Sequence, residues 1–176
     1  MKPNSLHELY AEEIKDLYDA ESRIVKTLPK LVDASSSSQL RAAFSEHLTQ
    51  TQDQVRRLEQ IFARLGMKPS GKTCDGMKGI LEEGSHALDL DAGVAKDAAL
   101  IAGAQRVEHY EIAAYGTVKN WAQQMNRTED VRLLQQTLDE EKGADVRLTG
   151  LAEGGINAGA ESGQAASETP AVAAVR

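Results

Sequence analysis

The stretch AQRVEHYEIAAYGTV, residues 104–118, decides how the rest of the chain is read. Ala104, Glu108, Glu111, Tyr115 and Val118 recur at steps of three and four, so they share one face of a helix. That face is apolar except for two carboxylates. A buried carboxylate is costly unless it is paired, protonated or bound to a cation. The stretch therefore predicts a helix whose core face carries chemistry. Its other side, with Ala102, Ile112, Ala113 and Gly116, is not strongly polar, so the helix is expected to be covered on more than one side, with a second subunit as one candidate cover.

Working outward, three more long helices follow from the same periodicity. The first is expected over about residues 6–33, capped by Asn4 or Ser5, with Glu8 placed to close a capping box on Ser5. Its stripe is Leu6, Tyr10, Ile14, Leu17, Glu21, Ile24, Leu28 and Leu31, with Pro29 marking a kink or an early end, and Glu13 reads as an edge residue. The second is expected over about 39–65, with His47, Gln50 and Gln54 interrupting an apolar stripe and Gly66 as the stop. The helix containing the opening stretch is expected from about Asp91, a candidate cap, to Met125. The fourth is expected over 129–153, with Leu134, Leu138, Glu141, Asp145 and Leu148 on one face. Between the second and third lies a connection long enough for a crossover, and residues 74–88 within it read as a short helix. This predicts an all-α fold, a four-helix bundle of the ferritin-like kind with a long crossover carrying a short extra helix. The bundle is expected to occupy residues 1–153, and the Gly/Ala/Ser-rich residues 154–176 to form a flexible tail.

Composition narrows the function. Aromatic residues make up only 4% of the chain, which suits packed aliphatic helices rather than a sheet. The net charge of −7 argues against a nucleic-acid surface, which needs clustered Lys and Arg. The single cysteine, Cys74, excludes an intrachain disulfide and a thiolate cluster, and reads as a loop or helix-start residue. Neither a secretory leader nor a membrane span is evident, so a cytoplasmic protein without a membrane partner is expected.

Polar residues interrupt the stripe near mid-length in all four helices: Glu21; His47, Gln50 and Gln54; Glu108 and Glu111; Glu141 and Asp145. Carboxylates gathered in one core repel and raise each other's pKa, and a divalent cation resolves both problems. Side chains three or four apart lie about 5–6 Å from one another, close enough to share a centre. Oxygen ligands with an imidazole suit iron or manganese, as one or two ions. The alternative is a metal-free polar network that fixes the bundle's register. His109 points away from Glu108 and reads as a packing or interface residue, His7 and His86 read as surface residues, and Tyr115 as a core residue able to donate to a ligand carboxylate.

The stretches LYDAESRIVKTLPKL, AAFSEHLTQTQDQVRRLEQIF, DAALIAGAQRVEHYEIAAYGTV and LLQQTLDEEKGADVRLTGLA together resemble the YciE/YciF family of bacterial ferritin-like proteins, over about residues 6–152. The resemblance implies a rubrerythrin-like bundle, commonly a homodimer, associated with bacterial stress responses. Ferritin-like di-iron sites take one Glu from each of two helices and a Glu-x-x-His from each of the others. Glu21 fits the lone Glu of the first helix, and Glu108 or Glu111 that of the third. The second helix departs, with Gln50 where members of the family often carry Glu. The fourth has Ala144 three residues after Glu141, and then Asp145. Any enzyme activity is thus expected to be at most that of an oxidase or peroxidase, and His47 partly compensates for Gln50.

Overall fold

In a computed structural model, which describes residues 3–163, the chain is helical throughout its ordered elements. Helix α1 spans Leu6–Ala34, α2 Ser38–Arg64, α3 Asp75–Ser85, α4 Val94–Gln124 and α5 Thr128–Leu151. A 3₁₀ turn, His86–Asp89, follows α3, and a π-helical turn, Ala152–Ile156, joins α5 to α6, Asn157–Ser162.

The local signals explain most boundaries. The Ser5 side chain accepts from the Glu8 N–H, 3.2 Å away, while Glu8 reaches back to the Asn4 N–H at 2.8 Å. This is a reciprocal cap, shifted by one residue on its return arm. Helix α1 continues through Pro29 to Ala34, so the proline ends nothing early. Gly66, with φ of 68°, supplies the left-handed residue that terminates α2. Cys74 is the N-cap of α3, its sulfur accepting from the Met77 N–H at 3.3 Å. The cap of α4 is Gly93 rather than Asp91, and Gly93 offers no side chain to accept.

Two apolar clusters establish the topology. One joins Ile24 and Leu28 of α1 with Leu40 and Phe44 of α2, Leu100 to Val107 of α4, and Leu148 of α5. The other joins Tyr10 to Leu17 of α1 with Leu58 to Phe62 of α2, Tyr115 to Ala122 of α4, and Leu133 to Leu138 of α5. Helices α2 and α4 therefore run in the same direction, antiparallel to α1 and α5. The segment between α2 and α4 must travel the length of the bundle, which makes it a crossover with α3 upon it.

The expected domain end at residue 153 needs correction. Helix continues to Ser162, and Ile156 is buried in the first cluster. Gly155, with φ of 141°, re-aims the chain so that α6 returns along α4, where Gly159 lies against Val94. The low-complexity composition concealed one well-placed isoleucine. Residues 164–176 of the expected tail lie outside the described residues. Ala102 and Ala113 on the outer side of α4 are exposed in the single chain, and Ile112 and Gly116 half-buried. No helix among the described residues is long and apolar enough to cross a membrane.

Candidate metal centre

Between the two apolar clusters lies a polar belt. Glu21, Gln54, Glu111 and Glu141 are completely buried, and Glu108 and His47 are 2% and 6% exposed. Each of the four long helices contributes, because each apolar stripe carries its polar break at the same height along the axis. One ligand atom each from His47, Glu108, Glu111 and Glu141 lie within 4.8 Å of one another. That span is slightly wider than two metal–oxygen bonds of about 2.1 Å placed end to end.

The surroundings orient several members. Tyr115 donates its hydroxyl to Glu21. Gln54 donates its amide to Glu141, and at 3.2 Å to Glu140. His47 Nδ1 stands 3.4 Å from Gln50 Oε1, so the amide oxygen favours a proton on Nδ1 and turns the Nε2 lone pair toward the carboxylates. Nε2 is 3.4 Å from Glu108 Oε1 and 3.8 Å from Glu141 Oε2. Thr51, fully buried, donates to the His47 carbonyl at 2.8 Å.

What these partners leave unsatisfied is specific. Among the described residues, the buried side-chain atoms with no hydrogen-bond partner are Glu21 Oε2, His47 Nε2, Gln54 Oε1, Glu108 Oε2, both oxygens of Glu111, and Glu141 Oε2. All belong to the belt, and nearly all are acceptors. The cation closest to hand, Arg57, is committed to Thr137 at 3.0 Å and to Glu140. Burial, reinforced by the Glu141 charge, holds Glu21 and Glu108 far above the ordinary carboxylate range. Glu111 is raised by burial and then by the charges of Glu21, Glu141 and Glu108. Burial beside Glu21 and Glu111 likewise raises Tyr115. A set of inward oxygen and imidazole acceptors with too little positive charge suits a hard or borderline divalent cation.

Not every expected ligand faces this centre. Gln50 is half-buried and stands behind His47 instead of beside the carboxylates. Asp145 is turned toward α4, where it accepts from Gln105 at 3.0 Å and lies 3.4 Å from His109 Nε2. Gln54 is within the belt, but its amide is engaged with Glu141. Sequence reasoning missed Arg57 and Thr137, although Arg57 follows Gln54 at helical spacing and so belongs to the same stripe. It also missed two buried carboxylates outside the belt. Asp97 accepts from the Ser36 and Ser37 N–H groups, 2.8 Å each, and Asp130 accepts from Tyr10, Arg64 and Arg127.

Comparison with known proteins places this architecture. The profile of a family described as a domain of unknown function, DUF892, matches residues 5–161. The chain belongs to the DUF892 family. Within reach of that family, it is 37% identical over 164 residues to Protein YciF of Escherichia coli strain K12, covering 92% of this chain and 99% of YciF. The crystal structure of that E. coli stress protein superposes with a TM-score of 0.83 at 36% identity, over 88% of this chain and 99% of the other. A protein from Rhodopseudomonas palustris, YcfI, provisionally described as structural, gives a TM-score of 0.80 at 39% identity, over 83% and 94% of the two chains. A two-domain protein from Anabaena variabilis containing a ferritin-like domain matches at a TM-score of 0.60 and 16% identity, over 98% of this chain and 42% of that one, and so speaks to the fold alone. The DUF892 chain described here is thus a YciF-like protein with a ferritin-like fold.

Proposed function

We propose that this DUF892 protein binds one or two iron or manganese ions in the polar belt and acts as a homodimeric bacterial stress protein. The observation that carries the reading is the belt of orphaned acceptors, shared by four helices and short of positive charge. Glu21, His47, Glu108, Glu111 and Glu141 would hold the metal, with Gln54 Oε1 as a neutral donor at the edge. A bound iron or manganese ion supplies redox chemistry toward dioxygen or peroxide. The chain's own residues do the rest. Tyr115 fixes Glu21, Gln54 fixes Glu141, Gln50 orients the imidazole, and the apolar clusters keep bulk water from both ends of the belt. The half-apolar outer side of α4 supports the dimer.

A metal-free reading has its own support. Tyr115 and Gln54 already satisfy one oxygen each of Glu21 and Glu141, and a relative carries a structural description. In that reading the chain is a homodimeric structural or interaction protein and protons occupy the belt. The two part on elemental analysis of protein purified without chelator, beside a Glu108→Ala/Glu141→Ala variant of verified helicity. Near-stoichiometric iron or manganese, absent from the variant, is expected. No metal after anaerobic Fe(II) or Mn(II) loading would overturn the metal reading. Sedimentation of the same samples tests the dimer.

A further inference from the structure

The belt is enclosed above and below by the apolar clusters, yet one of its sides opens. Between α2 and α5 lies a cleft of about 690 Å³. Phe44 and Leu148 form its apolar wall, and His47 and Glu108 stand at its floor. Both floor residues are at least nine-tenths buried, and His47 Nε2 and Glu108 Oε2 lack hydrogen-bond partners. The cleft exists because the facing positions are small: Ala43 on α2, and Gly143 and Ala144 on α5. A Cβ added at Gly143 meets nothing within 4 Å, so nothing in the fold demands the missing side chain there. A glycine in the middle of an exposed helix is otherwise unfavourable. The walls carry Glu46, Asp139 and Glu140 in addition to Glu108, against Arg132 and Arg147. Arg147 is drawn to Glu46, Arg132 pairs with Glu129 at 2.6 Å, and Arg57 holds Glu140, so among the described residues Asp139 is the wall carboxylate without an ion pair, above Glu108 on the floor. Acid-lined clefts with apolar walls concentrate cations and exclude anions.

We propose that this α2–α5 cleft is the passage by which a divalent cation reaches and leaves the carboxylate belt, with Gly143 and Ala144 holding it open. The inference rests on the metal reading above, since a passage needs a site at its end. Gln50 belongs to the passage and not to the site. It lines the cleft beside His47, and its amide oxygen stands 3.4 Å from His47 Nδ1, so it orients the imidazole from the passage side.

The test is stopped-flow mixing of the chelator-treated full chain with Co(II), following the visible absorption of the bound ion, with an EDTA chase for release. Gly143→Leu and Ala144→Leu fill the cleft without touching a ligand, and Gly143→Ala adds helix propensity without filling it. Both leucine variants are expected to slow uptake and release tenfold or more, leaving the dissociation constant within twofold and Gly143→Ala like wild type. A passage alters both rates equally, whereas a disturbed site alters their ratio. Leucine variants that load and release at wild-type rates would overturn the passage and leave the site standing, as would a change confined to release. Wild type that binds no Co(II) would overturn site and passage together. If a leucine variant loses its helical circular dichroism, Asp139→Asn decides: uptake at low salt should fall at least twofold and converge with wild type at high salt, and uptake unchanged at low salt would overturn the proposal.

Discussion

Tyr115 shows how much one side chain contributes to the belt. It is 1% exposed, and its hydroxyl is the group that satisfies Glu21 Oε1. Tyr115→Phe keeps the ring's packing and strands that oxygen. An unsatisfied buried acceptor costs about 1–3 kcal/mol, which urea unfolding of the chelated protein should register. Partners of this kind also set metal affinity, and a loss of about 10–100-fold is expected in the same variant by competition with a chelator. The buried glutamates make a separate prediction about pH. Glu21, Glu108 and Glu111 are raised above their ordinary value of 4.5, so the folded metal-free chain holds protons that the unfolded chain releases. The stability these groups contribute is fully present below about pH 4.5 and is lost as pH rises through their elevated folded values. Glu111→Gln removes one such group while keeping its shape. The chelated variant should therefore gain on wild type as pH rises above 4.5, read as the difference in urea midpoints; parallel pH profiles would mean that Glu111 does not hold a proton in the native state. At this scale the sequence was informative where a polar residue broke an apolar stripe, as at Glu21, His47, Glu108, Glu111 and Glu141. It misled at Asp145, four residues beyond Glu141 on the same general face, because Gln105 and His109 of α4 engage that carboxylate away from the other acceptors. Asp97 was silent for another reason: its partners come from another element and have no spacing to betray it, whereas Asp130 has Arg127 three residues before it as well as Tyr10 and Arg64 from other helices.

Helices rather than residues carry the next prediction. The start of α2 is held by α4, not by its own sequence alone. Ser37 caps Leu40 at 3.3 Å, but the Ser36 and Ser37 N–H groups both point to Asp97, buried sixty residues on. A carboxylate there also meets the positive end of the α2 dipole. Asp97→Ala should cost about 1–3 kcal/mol, and Asp97→Asn less, since the amide oxygen can still accept one of the two bonds. Thermal unfolding of the pair measures this, and equal losses would show that charge rather than the second bond matters. Element existence was readable from the sequence because the 3.6-residue stripe is long in every one of the four helices, and Leu6–Ala34 and Thr128–Leu151 fall within a few residues of their expected ends. The start of α4 was less readable. Asp91 has the chemistry of a cap, yet Gly93 takes the position with φ of 146°, a backbone angle that a residue with a side chain rarely adopts.

For the molecule as a whole, the segment after α5 belongs to the fold. Ile156 is 8% exposed within a cluster that reaches Leu28 and Leu100. Ile156→Ala should cost about 2 kcal/mol, at the low end for a buried isoleucine because the site lies at the rim, and a chain ended after residue 153 should lose at least as much; thermal unfolding decides. The same view gives the two apolar clusters a meaning beyond packing. They share all four long helices but meet across a layer of polar side chains. Each half has its own oily interior, and what passes between them passes through backbone and through the belt. Without metal, the bundle is two stacked domains in all but covalent topology, able to open one at a time, so amide exchange should divide it into two blocks of different protection. A cation gripping all four helices at the boundary would fuse those blocks. The ion's largest mechanical effect would then be to make the two ends of the protein unfold as one.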